Sequence, residues 1–216
     1  MDIVDPRIET YMRSLLDRHD EPVLLEMEAE ADARGFPIVG RTVGATLEVL
    51  ALAVGARRVV ELGSGFGYSA YWFSRAVGPL GEVHCTDSDP ANEGKALGYL
   101  RRAGLEAPIR WHVGDALDGL ASVEGDLDVV YNDIDKEGYP DAWLAARERV
   151  RIGGLCVCDN VLWYGRVTRP EAPAGSRHRT TTRAILEHNR LVADDPDFRS
   201  AIVPTRDGVL VAVRTR

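Results

Sequence analysis

The 216 residues carry 26 Lys and Arg against 34 Asp and Glu, a net charge of −8. An acidic balance without a long basic run excludes nucleic-acid or anionic-membrane binding by bulk electrostatics. The length suits a single domain spanning residues 1–216 with a substantial core. No apolar run approaches the ~18 residues of a membrane span, and Met1-Asp2-Ile3-Val4-Asp5 lacks the regions of a signal peptide, so a cytoplasmic protein is expected.

In chain order, the first quarter (residues 1–55) reads as helical. Asp5-Pro6 is a helix cap followed by proline at the first helical position, and Ile8, Met12, Leu15 and Leu16 then share one face. A second helix is predicted from Pro22 to Ala33, stopped by Gly35, and a third from Val43 to Val54, stopped by Gly55. Strands and helices then alternate. Strand Arg58 to Leu62 precedes helix Tyr68 to Val77, and strand Glu82 to Thr86 precedes helix Ala91 to Ala103. Strand Ile109 to Val113 leads to a short helix near Leu117 to Ala121. Strand Leu127 to Asn132, helix Pro140 to Val150 and strand Leu155 to Cys158 follow. A polar loop from Tyr164 to Arg179 is long enough for a lid and precedes helix Thr181 to Ala193. Strands Arg199 to Pro204 and Val209 to Arg214 close the pattern, joined through Asp207-Gly208, a hairpin signal. This order predicts an α/β fold: a Rossmann-like, mostly parallel seven-stranded sheet ending in an antiparallel hairpin.

The first strand ends on Glu61 and turns through Gly63, Gly65 and Gly67 into a helix. Glycines there let a ligand approach the backbone at the carboxyl edge of the sheet. The spacing differs from the dinucleotide pattern G-x-G-x-x-G. A carboxylate beside the turn suits the cationic S-adenosylmethionine and would repel a pyrophosphate. Asp87, about 20 residues beyond the turn, is placed to accept hydrogen bonds from a ribose; as a helix cap it would serve less well than Asp89. Asp115 and the Ala116 amide are candidates to read an adenine edge, and Asp115 equally suits a cap for the short helix.

The fourth strand ends in Asp133-Ile134-Asp135-Lys136 and the fifth in Asp159-Asn160. Asp133, Asp159 and the Asn160 amide oxygen form an all-oxygen set suited to Mg²⁺ or a similar hard cation such as Mn²⁺ or Ca²⁺. Helix capping is the plainer reading of either cluster alone. Trp163 and Tyr164 offer an aromatic wall for a planar substrate, or packing residues at a dimer contact. Arg166, Arg169, Arg177 and Arg179 line the following loop. Cys85, Cys156 and Cys158 lie in strand-like stretches and read as reduced, buried thiols; Cys156-x-Cys158 lacks the partner pair of a metal site.

The motifs Glu61-x-Gly63, Asp133-x-Asp135-Lys136-x-x-Tyr139 and Gly153-Gly154-x-x-x-x-Asp159-Asn160-Val161-Leu162-Trp163-x-Gly165-x-Val167 resemble the cation-dependent O-methyltransferases. That family includes catechol and caffeoyl-coenzyme A O-methyltransferases, and the resemblance runs from Val39 to the terminal hairpin. It implies metal ligation by Asp133, Asp159 and Asn160, and Lys136 as general base. It also implies cofactor contacts from Glu61, Gly63, Ser69, Asp87 and Ala116, with Val39 at the methionine end and Asp133 close by. The acceptor it implies is a small vicinal-dihydroxy phenol, and the assembly a homodimer. Asn132 and Ile134 depart from the small or apolar neighbours usual around the first ligand. The rival readings are an NAD(P)-dependent oxidoreductase on the same sheet and a noncatalytic S-adenosylmethionine-binding protein.

Overall fold

A computed structural model describes residues 3–16, 21–169 and 177–216. Its seven strands are β1 (Arg58–Leu62), β2 (Glu82–Asp87), β3 (Ile109–Val113), β4 (Leu127–Asn132), β5 (Val150–Cys158), β6 (Phe198–Val203) and β7 (Val209–Arg214). They form one sheet in the order β3-β2-β1-β4-β5-β7-β6, antiparallel only where β7 pairs with β5 and β6. The helices are α1 (Pro6–Ser14), α2 (Pro22–Arg34), α3 (Gly40–Ala53), α4 (Tyr68–Val77), α5 (Pro90–Arg102), α6 (Ala116–Ser122), α7 (Tyr139–Arg147) and α8 (Arg177–Asp194).

The sheet is covered on both faces, so its central strands are apolar at successive positions rather than alternate ones. Val59, Val83, Val129 and Val157 pack with Leu24, Leu47, Trp72 and Leu100 of α2–α5. Val60, Leu62, Val130 and Cys156 pack with Leu120, Trp143, Ile185 and Val192 of α6–α8. Strand order reverses between β1 and β4, the switch point where open α/β sheets bind ligands. Register aligns the strand ends there: Leu62 lies opposite Thr86 and Asn132, and Asn132 opposite Cys158. The ladder extends one residue further, with Asp133 N donating to Leu62 O (2.9 Å) and Asp159 N to Asn132 O (3.1 Å). Three acids, Asp87, Asp133 and Asp159, therefore stand at one edge of the sheet, at the ends of β2, β4 and β5, with β1 between β2 and β4.

Several expected boundaries move. The seventh helix stops at Arg147, and β5 already begins at Val150, which pairs with Leu127. A bulge follows, because Val129 pairs with Leu155; Gly153 at φ +77° and Gly154, whose Cβ would meet Asp128 O at 2.8 Å, accommodate it. The third helix starts at Gly40 and the eighth at Arg177, so Arg177 and Arg179 belong to α8 and not to a lid. The expected lid opens instead with a kinked 3₁₀ stretch, Trp163–Thr168; residues 170–176 of it lie outside the described residues. Helix α1 is capped by Asp5, as expected, yet none of its residues is buried, and Ile8, Tyr11 and Leu15 are exposed. The three cysteines are buried free thiols. Among the described residues, no helix is long and apolar enough to cross a membrane.

Candidate active site

Gly63, Gly65 and Gly67 all have positive φ (83°, 52° and 88°), which turns the chain sharply from β1 into α4. At Gly63 a Cβ would lie 2.7 Å from Asp133 O, so glycine also lets the ends of β1 and β4 converge. The turn is tied to β2 by bonds from Ser64 N to Thr86 O (2.8 Å) and Gly63 N to Thr86 Oγ1 (3.2 Å).

Glu61 is fully buried beneath this turn, and neither carboxylate oxygen has a hydrogen-bond partner in ordinary geometry. Burial pushes its pKa up to about 7; the hydroxyls of Ser69 and Ser64 oppose the shift, and Asp133 adds to it. An orphaned buried acid is costly unless a cation or donor arrives. The ammonium of a bound amino acid moiety answers that description. Ser69, in the first turn of α4, is buried beside it.

Asp87 is held from three sides. Its Oδ2 accepts from Gly65 N (2.9 Å), and its Oδ1 accepts from Asp89 N (2.9 Å) and Asn92 Nδ2 (3.0 Å). Capping of α5 falls to Asp89, which accepts from Ala91 N at 2.9 Å. The carboxylate of Asp87 is thus fixed against the glycine turn by other groups. Asp115 does cap α6: its Oδ1 accepts from Leu117 N and Asp118 N, leaving Ala116 as the first helical residue. Val39 is buried immediately before α3, and Arg206 Nη1 donates to the neighbouring Ile38 O at 2.8 Å.

At the ends of β4 and β5, Asp133, Lys136, Asp159 and Asn160 come together. Lys136 Nζ donates to Asp133 Oδ1 at 2.8 Å and lies 5.0 Å from the centroid of the Tyr139 ring. It is no solvated surface lysine, with 14% of its side chain exposed. Asp159 is buried; Asn160 N donates to its Oδ1 at 2.8 Å, and Tyr139 Oη donates to its carbonyl at 2.9 Å. Burial and the nearby Asp133 raise the Asp159 pKa to about 7, against the pull of the Asn160 amide, Lys136 and Arg206. Burial likewise raises Asp133, opposed chiefly by Lys136. Two acids that disfavour each other's charge, beside an amide oxygen, are a donor set that suits a hard divalent cation. A cluster of three or more His, Cys, Asp or Glu side chains arranged for a metal is absent among the described residues. The set here contains two carboxylates and an amide. Asn132 bridges the strand ends, donating to Cys158 Sγ at 3.4 Å and accepting from Ile134 N at 3.4 Å.

Trp163 and Tyr164 follow directly, their ring centroids 5.8 Å apart, with the Arg166 guanidinium over both rings at 5.4 and 5.3 Å. Tyr164 is exposed, which suits a wall open to a substrate and a contact surface for a second copy alike. In the sequence Asp207 reads only as a turn former, and Arg206 carries no signal of its own. Both stand beside the site, because antiparallel pairing of β7 with β5 sets Leu210 opposite Cys158. The Asp207 carbonyl accepts from Leu162 N at 2.9 Å, and its Oδ1 accepts from Tyr164 N.

Comparison with known proteins agrees with this geometry. The O-methyltransferase family profile matches residues 20–215. Catechol O-methyltransferase of Mycobacterium tuberculosis is 33% identical over 192 residues, covering 87% of this chain and 87% of that protein. Caffeoyl-CoA O-methyltransferase 2 of Populus trichocarpa is 30% identical over 180 residues, covering 80% of this chain and 73% of that protein. The crystal structure of the O-methyltransferase TomG from Streptomyces achromogenes, in complex with SAM, superposes with a TM-score of 0.81 at 26% identity over 91% of each chain. The chain belongs to the O-methyltransferase family, enzymes that move a methyl group from S-adenosylmethionine to an oxygen atom.

Proposed function

We propose that this enzyme methylates one of two adjacent hydroxyls on a small phenol, with a divalent cation, Mg²⁺ in the first instance, held by Asp133, Asp159 and Asn160. Buried Asp159 and partly buried Asp133, side by side on neighbouring strand ends with raised pKa values, carry this reading. The names of the catechol and caffeoyl-CoA relatives support the acceptor class. Family membership sets aside the oxidoreductase alternative.

Methyl transfer from a sulfonium is an in-line displacement, so the acceptor oxygen must be held close behind the methyl carbon. Glu61 binds the ammonium of the donor, Asp87 its ribose, and Asp115 with Ala116 its adenine edge. A phenol with a pKa near ~10 is mostly protonated at neutral pH, and the cation, when bound, supplies Lewis acidity toward it. Lys136 receives the hydroxyl proton at Nζ, and Asp133 orients that amine through their hydrogen bond. Trp163 and Tyr164 flank the ring of the acceptor. The enzyme works as a homodimer through the exposed apolar side chains of α1 and α3.

Incubation with S-adenosylmethionine, Mg²⁺ and paired catechols and monophenols, followed by mass spectrometry, tests this. Catechols should gain one methyl group, exceeding the matching monophenols by about 10²-fold in kcat/KM, because losing one anchoring oxygen misplaces the other by ~1 Å. Excess EDTA should abolish turnover. Equal rates on both acceptor types, or full activity in EDTA, would refute the proposal.

A further inference from the structure

Four non-glycine residues have positive φ among the described residues: Asn160 (57°), Trp163 (47°), Tyr164 (53°) and Arg206 (47°). All four lie where the segment after β5 meets the β6–β7 turn. Left-handed backbone at Trp and Tyr persists only where the surroundings impose it. Here the turn imposes it. Val161 N donates to Gly208 O (3.1 Å), Leu162 N to Asp207 O (2.9 Å), and Tyr164 N to Asp207 Oδ1. Gly208 has no Cβ, and one added there would strike the Leu162 side chain.

Of these contacts, only the bond to Tyr164 is made by a side chain. Asp207 is 6% exposed, and its second oxygen, Oδ2, is buried without a hydrogen-bond partner. Lys136, Arg166 and Arg206 face its charge, though not closely enough to outweigh burial. Turn formation alone does not call for so buried an acid, since an asparagine or a solvated aspartate would start the same hairpin. The carboxylate has one direct task, which is to hold the Tyr164 amide.

We propose that Asp207 is a positioning residue for the acceptor site. By fixing the Tyr164 amide it sets the backbone from Asn160 to Gly165, and hence the angle of the Trp163 and Tyr164 rings and the aim of the Asn160 amide oxygen. The inference rests on the reading of that segment as the acceptor wall. It assigns the β6–β7 turn, remote in sequence, to the control of which hydroxyl faces the methyl donor.

The test compares full-length Asp207→Asn, Asp207→Ser and Asp207→Ala, using 3,4-dihydroxybenzoate as an unsymmetrical acceptor. Asp207→Ala should raise the acceptor KM by about tenfold or more and shift the ratio of the two monomethyl products, because ring placement is lost. Its S-adenosylmethionine affinity, read by calorimetry, should stay within about twofold, since the cofactor contacts lie on other strands. Asp207→Asn keeps an oxygen for the Tyr164 amide and should restore both KM and product ratio. If Asp207→Ala does not fold, Asp207→Ser, whose hydroxyl is too short for the same bond, is read in its place. A wild-type product ratio in Ala or Ser, or an Asn variant as impaired as Ala, overturns the proposal. Hydrogen exchange at the Tyr164 amide decides independently of turnover: about tenfold faster exchange in Ala but not Asn supports it, and unchanged exchange overturns it. Failure of the wild-type enzyme to methylate any catechol would refute the acceptor class, and the exchange measurement would then decide the role of Asp207 by itself.

Discussion

At the scale of single residues, the site is built from acids kept in unfavourable surroundings. Glu61 is the clearest case, and its titration has a defined sign. Its pKa is raised in the folded state to about 7, so folding favours the protonated form. That stability is fully present below the unfolded value near 4.5 and is lost as pH rises through 7. The ligand-free protein should therefore be less stable than Glu61→Gln above pH 7, by up to about 3 kcal/mol. The two should converge near pH 4.5 and below; parallel denaturation curves across that range would show that the acid is not buried charged. S-adenosylmethionine should bind the Gln variant more weakly, because the ammonium loses its counter-charge. Asp87 makes a complementary prediction. Its carboxylate is already held by Gly65, Asp89 and Asn92. Asp87→Ala should weaken S-adenosylmethionine binding by about 1.5–3 kcal/mol, the worth of a charge-assisted hydrogen bond, and it should also loosen the glycine turn. Unchanged affinity by calorimetry would place the ribose elsewhere.

At the scale of elements, close packing decides matters that local preference does not. Gly44 lies inside α3, where alanine would ordinarily stabilise a helix by about 1 kcal/mol. A Cβ there would lie 2.5 Å from Trp72 Cδ1 and Cε2, inside a fully buried indole on α4. Gly44→Ala should therefore destabilise the fold, by about 1–3 kcal/mol as for other overpacked cores; a rise in Tm would mean that α3 and α4 can separate cheaply. The same contrast explains what is legible in the sequence. All seven strands are predicted in the right order, with the start of β5 misplaced by five residues; the central ones, buried on both faces, read as apolar runs bounded by glycine and acid. Their order puts Asp87, Asp133 and Asp159 at one edge of the sheet. The bulge at Gly153 and Gly154 is not legible, since a pair of glycines reads equally as a loop. Nor is the role of Asp207, whose neighbour across the sheet is known only once β7 is seen to run antiparallel to β5. The sequence leaves Asp115 open between capping and cofactor binding. Its Oδ1 caps α6, and a ligand contact through Oδ2 is compatible with that.

At the scale of the molecule, Ile8 and Tyr11 on α1 and Leu15 just after it are exposed, as are Val49 and Leu52 on α3, the helix α1 contacts. With a second copy as the occupant, replacing Ile8 and Leu15 by Lys should shift the protein toward monomer, raising the dimer dissociation constant by at least about tenfold, since two charges would enter an apolar contact. Light scattering across a dilution series reads this directly, and a wild-type protein that is monomeric throughout would end the proposal. The sheet order carries a different consequence. Strand β7 is inserted between β5 and β6, although it is synthesised after both. A growing chain therefore holds β5 with one edge unpaired until the hairpin arrives, and an open edge invites pairing with other chains. The arrival that seals this edge also delivers Asp207 and Gly208 to the segment carrying Asn160. Protection from misassociation and acquisition of a finished site are thus one event in biosynthesis, and a chain stopped short of β7 forfeits both together.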